Sequence, residues 1–267
     1  MLNAPIFVFP LVFIFGTLVG SFLNVCIGRI PDGGSVVAPP SHCPKCQTPI
    51  RFYDNVPLFS FIFLHGRCRA CREPISPRYF IVELMMGLFA MALFRWFGLS
   101  FSFAVGLIFV AALIVISFID IAVRIVPDVI SLPGIILGLV LSTAGYFFFG
   151  RESTIVPSPL SSLIGIVTGG GFLLATAWAY EKFTGVEGMG GGDIKLLAMI
   201  GAFLGWPSIP VTLFIASLLG SVVGIAFMVA TGAGRRLALP FAPFLCIGAL
   251  LHLFFADEII ALYLPAH

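Results

Sequence analysis

The stretch FSFAVGLIFVAALIVISFID, residues 101–120, decides the fold: an uncharged apolar run from Phe101 to Ile119 ends on a carboxylate, Asp120. A helix needs about 20 such residues to cross hydrocarbon, so the run reads as a membrane span with an acid at its mouth. A second acid, Asp193, closes the string Gly188-Met189-Gly190-Gly191-Gly192 just before another apolar run. On insertion scales an aspartate at a helix centre costs roughly 2.5–3.5 kcal/mol, so an acid kept near hydrocarbon marks function. Two of them, each where a helix meets water, suit a paired-carboxylate site for acid/base chemistry at the membrane surface.

The rest of the chain agrees with the class. Its 267 residues are 60% hydrophobic and 10% charged, against about one quarter charged in a soluble domain. Hydropathy predicts helices over 5–28, 79–97, 101–121, 129–149, 159–180, 194–206, 209–231 and 239–264. The expected fold is therefore an all-α polytopic membrane protein of about eight transmembrane helices with one small loop module. The sixth helix is too short to span comfortably and is expected tilted or partly re-entrant, shielded by its neighbours. The first lacks a basic n-region and is too long for a signal peptide, so it reads as a retained helix. The domain reading is 1–28 as the first span, 29–78 as the loop module and 79–267 as the helical core.

Basic residues set the orientation. If loops alternate sides, one side carries Arg29, Lys45, Arg51, Arg67, Arg69, Arg72, Arg78, Arg124, Lys182, Lys195, Arg235 and Arg236, and the other only Arg95 and Arg151. The positive-inside rule then puts both termini on the non-cytoplasmic side and opens both aspartates and the 30–78 loop to the cytoplasm. The net charge of +2 follows from topology and implies no nucleic-acid partner; membrane lipid is the expected surroundings, and nothing in the sequence fixes the oligomeric state.

The loop carries its own signal. Cys43-Pro44-Lys45-Cys46 and Cys68-Arg69-Ala70-Cys71 are two CxxC pairs 21 residues apart. Four thiolates at that spacing suit a tetrahedral zinc ion, with Cys43, Cys46, Cys68 and Cys71 as ligands. A closed four-sulfur shell leaves no place for water, so the metal is expected to be structural, holding together a segment too small for a core of its own. Disulfides or free thiols are the competing reading, which a cytoplasmic loop disfavours. Cys26 and Cys246, alone in apolar runs, read as core.

The segment Glu187-Gly188-Met189-Gly190-Gly191-Gly192-Asp193-Ile194-Lys195-Leu196-Leu197-Ala198 resembles the GxGD signature of the type IV prepilin peptidases, the bifunctional prepilin leader peptidase/N-methyltransferase family. Gly20-Ser21-Phe22-Leu23-Asn24-Val25 with Arg29 and Pro31 is similar to the family's N-terminal motif. The CxxC loop with Asn55-Val56-Pro57 and Ser76-Pro77-Arg78-Tyr79 resembles its zinc segment, and Asp120 followed by Ile125-Val126-Pro127-Asp128 resembles the stretch holding the first catalytic aspartate. These matches run in the family's order from about 20 to 205; a slightly long interval including Arg151–Pro159 is the one departure. The resemblance implies an enzyme of the inner (cytoplasmic) membrane with catalytic residues Asp120 and Asp193, which cuts the short basic leader from type IV prepilins or type II secretion pseudopilins. It also implies N-methylation of the exposed residue with S-adenosylmethionine, a cofactor whose site no residue of this sequence marks, although the loop and its flanks are the expected region.

The residues fit the peptidase half by themselves. Two aspartates sharing a proton can activate water through the ionised member while the protonated one polarises the scissile carbonyl. No serine triad competes, His42, His65, His252 and His267 being the only histidines, and no HExxH motif is present. The glycines before Asp193 admit close backbone approach, useful to an extended substrate or to helix packing alike. Asp128, after Pro127, is expected to cap its helix, and Lys195 to snorkel to the interface. Glu83 lines a cavity or pairs with Arg78. The alternatives are a proton-coupled transporter, which would keep buried acids but gives no reason for the cysteine loop, and a structural scaffold, which leaves the aspartates without purpose. A presenilin-like protease would share the GxGD element but lack the N-terminal motif.

Overall fold

The computed structural model describes residues 6–149, 158–185, 190–231 and 239–263. Among these the chain is helical, without strands: α1 (Val8–Arg29), the short α2 (Phe59–Phe63), α3 (Arg78–Phe97), α4 (Phe101–Val123), α5 (Asp128–Ala144, continued by a π turn to Phe149), α6 (Pro159–Thr184), α7 (Gly191–Leu204), α8 (Ser208–Thr231) and α9 (Ala242–Tyr263). Glu187, Gly188 and Met189, Arg151 to Pro157, Arg235, Arg236 and His267 lie outside the described residues.

Six helices, α1, α3, α4, α5 with its π turn, α6 and α8, are long and apolar enough to cross a bilayer. The α7 helix has 14 residues, and the apolar part of α9 runs only from Ala242 to Ala256, a non-helical Phe255 kinking α9 at that end. Large apolar side chains stand on the outside of these helices, Phe148 at 82% and Val229 at 81% exposure. Such faces suit hydrocarbon and not water.

Local chemistry sets the helix ends. Ser158 Oγ accepts a hydrogen bond from the Ser161 N–H at the start of α6, with Pro159 in the first turn, and Gly185 in the left-handed region ends it; both are the expected capping choices. In α5, Pro133 lies inside the helix, where its missing N–H removes the bond to the Val129 carbonyl.

The chain forms two compact units, 1–115 and 116–267, with α4 running from one into the other. In the first, α1 and α3 lie side by side. A methyl group added at Gly16 would meet Ala90 Cβ at 2.7 Å, and one at Gly20 would meet the Glu83 Cα at 2.7 Å, so the backbones touch where the side chains vanish. In the second unit α7 packs along both α5 and α6, and α8 along α9. Gly165 and Gly201 face each other so closely that a Cβ on either would collide with the other's backbone. Ser162 Oγ donates to the Ala202 carbonyl at 2.6 Å across the same contact. This close approach buries the last two turns of α7 completely: Leu196 to Leu204 are all buried.

Candidate functional sites

The cysteine loop belongs to the first unit. Two knuckles of similar design carry the sulfurs. Cys43 N–H donates to Thr48 and Gln47 N–H to Cys43; in the second, Cys68 N–H donates to Glu73 and Arg72 N–H to Cys68. Gln47 and Arg72 both take positive φ, at 60° and 61°, to turn the chain back, and the bridges His42–Pro49 and Arg67–Pro74 close the two hairpins. The four sulfurs of Cys43, Cys46, Cys68 and Cys71 lie within 4.8 Å of one another, with Cys43–Cys71 at 3.8 Å and Cys46–Cys68 at 4.0 Å. A tetrahedron of sulfurs each about 2.3 Å from a metal has edges of about 3.8 Å, so the set fits a four-thiolate metal site.

Its electrostatics favour thiolates unequally. Thr48 hydrogen bonds bring Cys46 down to about 6, and the backbone amides of Cys71 and Ala70 lower Cys68. Cys71 is pushed up to about 12: the Glu73 amide opposes the rise, but desolvation and the surrounding sulfurs outweigh it. A bound cation would favour the thiolate at all four positions, Cys71 included.

A polar frame ties the knuckles to the rest of the loop. Arg69 grips Asp54 through Nε at 3.0 and 2.9 Å and Nη2 at 2.6 Å, and this fork holds the Asp54 carboxyl below the usual range. Arg69 and Arg51 both lie over the Tyr53 ring, and Ser60 Oγ donates to the Tyr53 carbonyl at 3.2 Å. The basic residues here are thus structural in part, not merely a solvated face.

The carboxylates belong to the second unit. Asp120 sits in the last turn of α4, 5% exposed. Its Oδ2 accepts a hydrogen bond from the Ala242 N–H, at the start of α9, at 3.2 Å, and Arg124 one turn on brings an opposite charge near. Arg124 itself leaves the helix at φ 59°. Asp193 lies in the first turn of α7, not ahead of it as the sequence suggested. It is half-buried, with the negative charge of Asp120 in its surroundings. Cys246 and Cys26 are both buried in their helices, as expected of core residues.

Three sequence expectations are corrected, the first two at this site. Asp128 does not cap α5: Pro127 occupies the cap position and no side chain bonds the free amides. Lys195 is not a lone snorkelling cation either. Its Nζ donates to both Asp128 oxygens at 2.7 and 2.8 Å, because the loop after α4 and the first turn of α7 are packed together, a Cβ at Gly192 meeting Val126 Cβ at 2.8 Å. Glu83 does not pair with Arg78; Oε2 accepts from the Leu58 N–H at 2.8 Å.

Six helices long and apolar enough to cross a bilayer, together with a four-cysteine cluster that fits a metal, point to a multi-pass membrane protein. Comparison with known proteins gives the particular family. Residues 14–97 match the Bacterial Peptidase A24 N-terminal domain and residues 107–225 the Type IV leader peptidase family, so the chain belongs to the type IV leader peptidase family. Among its relatives is the prepilin leader peptidase/N-methyltransferase of Aeromonas hydrophila, 34% identical over 97% of this chain and 95% of that protein. The proteins of that name from Neisseria gonorrhoeae and Pseudomonas aeruginosa are 39% and 34% identical, covering 85% and 93% of this chain and 84% and 91% of their own length. No solved structure matches the chain.

Proposed function

We propose that the protein removes the short basic leader of type IV prepilins or type II secretion pseudopilins at the cytoplasmic face of the inner membrane, with Asp120 and Asp193 as the catalytic pair, and then methylates the new N-terminus. The observation that supports the reading is the packing of the segment after Asp120 on the first turn of α7 that carries Asp193: a Cβ at Gly192 would meet Val126 Cβ at 2.8 Å, and Lys195 Nζ bonds Asp128 at 2.7 Å. Repulsion between them makes the singly protonated pair the favoured state. The ionised member then takes a proton from water as the protonated one polarises the carbonyl, with no covalent intermediate. A transporter would also keep buried acids, but family membership and the cysteine loop favour the peptidase.

Eight spans with both termini outside remain the topology that the basic-residue distribution supports, with α7 and α9 completing the six longer helices. The four-sulfur cluster fits zinc held structurally, with no open position for catalysis. The methyl-transfer half rests on the relatives' names, with S-adenosylmethionine as donor; when bound, the donor supplies an electrophilic methyl group. The loop of 29–78 and its flanks are the proposed region for that step.

Leader cleavage by purified enzyme on a prepilin tests the pair. Asp120→Asn and Asp193→Asn should each abolish it, a loss of at least about 10²–10⁴-fold, while the protein stays inserted and monodisperse. Appreciable cleavage by either variant would overturn the assignment.

A further inference from the structure

Between Asp54 and Arg67 the cysteine loop holds a stretch with no charged side chain, Asn55 to Gly66, in a module otherwise dense with Lys, Arg, Asp and Glu. A stretch of this length is too short to span a bilayer but long enough to lie in its interface. Its middle is α2, Phe59–Phe63. Phe61 turns toward the protein: its ring meets that of Phe80, in the first turn of α3, at 5.5 Å between centroids, and Gly66 closes over it. Phe59, Ile62 and Phe63, spaced i, i+3 and i+4, share the opposite face of the turn. They are 59%, 57% and 76% exposed.

The tethers to α3 give α2 a height. Besides the Phe61–Phe80 contact, Glu83 Oε2 accepts a hydrogen bond from the Leu58 N–H at 2.8 Å. Phe80 and Glu83 lie about 3 and 7.5 Å along the axis of α3 from Arg78. The neighbouring helix shows that this level is still apolar. Asn24 Nδ2 donates to the Tyr79 carbonyl at 3.0 Å, so Tyr79 stands level with Asn24, and α1 runs on through Val25, Cys26 and Ile27 before its one charge, Arg29. The backbone of the stretch is finished as hydrocarbon demands, where no water pairs a free amide. The N–H groups of Ser60, Ile62, Leu64 and Gly66 each reach a carbonyl of the same stretch, and Val56 N–H donates to Ser60 Oγ. Leu58, at the N-cap of α2 and turned to φ 62°, is given the Glu83 carboxylate. A buried acid in a membrane helix thereby serves a donor that would otherwise enter lipid unpaired.

We propose that α2 is an interfacial anchor whose Phe59, Ile62 and Phe63 face inserts into the lipid leaflet at the Arg78 end of α3 and seats the cysteine module on the bilayer. Lipid is the occupant because the face continues a surface that already meets it: Tyr79 and Ile81, flanking Phe80 on α3, are themselves exposed. Charges resume on both sides of the stretch, at Asp54 and Arg67, as in segments that lie along the headgroup boundary and return to water at their ends. The inference goes beyond leader cleavage and methylation and does not depend on either; it requires only that α1 and α3 are membrane helices.

Fluorescence quenching of the full-length protein in phosphatidylcholine vesicles tests this. Phe63→Trp adds one indole to the exposed face and leaves the four cysteines and every hydrogen bond named above in place, with the elution profile before reconstitution as the fold control. Wild type, with Trp96, Trp178 and Trp206, supplies the background to subtract. The added emission should be blue-shifted and spared by acrylamide in the water. It should lose most of its intensity when the lipid chains carry bromine near the headgroup, and less when the bromine sits near the chain end. Emission quenched by acrylamide and by neither brominated lipid puts the face in water and overturns the proposal. Emission spared by all three quenchers gives the face to protein, whether this chain, a second copy or an added prepilin, and overturns it as well. Stronger quenching from the chain end than from the headgroup end places α2 deep in the bilayer and overturns the interfacial position.

Discussion

The cysteine loop and the aspartate pair are built by opposite means. In the loop, each CxxC knuckle is closed by hydrogen bonds to residues only a few positions away, so the ligand set is written in local spacing. The aspartates have no such local logic. Asp120 accepts from a backbone amide 122 residues on, and Asp193 is carried by α7, which glycines let lie close against α5 and α6. A locally built site survives damage to distant packing, whereas a packed site depends on every contact that sets its helices. The two regions also lie in different compact units and match different family domains, so their activities should come apart under mutation.

The largest effect follows from that separation. Asp193→Asn should lose all leader cleavage yet methylate an already trimmed peptide at a rate close to wild type. If a well-folded variant loses both on substrates that wild type handles, the two halves share a site and the contrast collapses. Next comes the metal. Zinc analysis should give about one ion per chain, and Cys43→Ser combined with Cys68→Ser should lose it. The 30–78 loop then becomes sensitive to limited proteolysis and methylation falls at least about tenfold. A metal-free preparation with an intact loop and full methylation would contradict the structural role.

Packing supplies an intermediate test. Gly201→Ala places a methyl group against the Gly165 backbone, where nothing flexible can give way. Overpacking of this kind costs about 1–3 kcal/mol, so the detergent-solubilised protein should melt lower and lose cleavage with little change in metal content. A substitution that leaves both melting and cleavage untouched would mean that the α6–α7 contact does not position Asp193.

Much of this was legible in the sequence, and the part that was not has a single cause. Helix limits agree within a few residues because hydropathy is local: 159–180 is the expectation for α6 and Pro159–Thr184 is observed, ending at Gly185. Asp120, Asp193 and the four cysteines stood out because an acid beside hydrocarbon and paired thiols are conspicuous wherever they occur. The polar contacts between elements were invisible. Asp128 looked like a helix cap and Lys195 like an interfacial cation, since each role is the local default for that residue at that place. Only the packing of the 124–128 loop on α7 makes them partners. Glu83 was ambiguous for the same reason, its true partner being a loop amide 25 residues earlier.

That Lys195–Asp128 bridge gives the smallest and most discriminating test. It joins the loop following Asp120 to the turn carrying Asp193, and it spans 67 residues of chain. The two side chains are 36% and 56% exposed, so water screens the pair and its contribution to stability is only roughly 0.2–1 kcal/mol. Its value lies in geometry, since it limits how far one aspartate can drift from the other. Lys195→Met and Asp128→Asn should therefore leave melting nearly unchanged and lower kcat for leader cleavage several-fold, with KM moved less. Exchanging the partners, Asp128→Lys with Lys195→Asp, restores the attraction in reverse and should recover part of the rate. Equal losses in the single variants and the exchange would mean that each residue acts alone, and the bridge would then be a consequence of the packing around the carboxylates instead of a contributor to it.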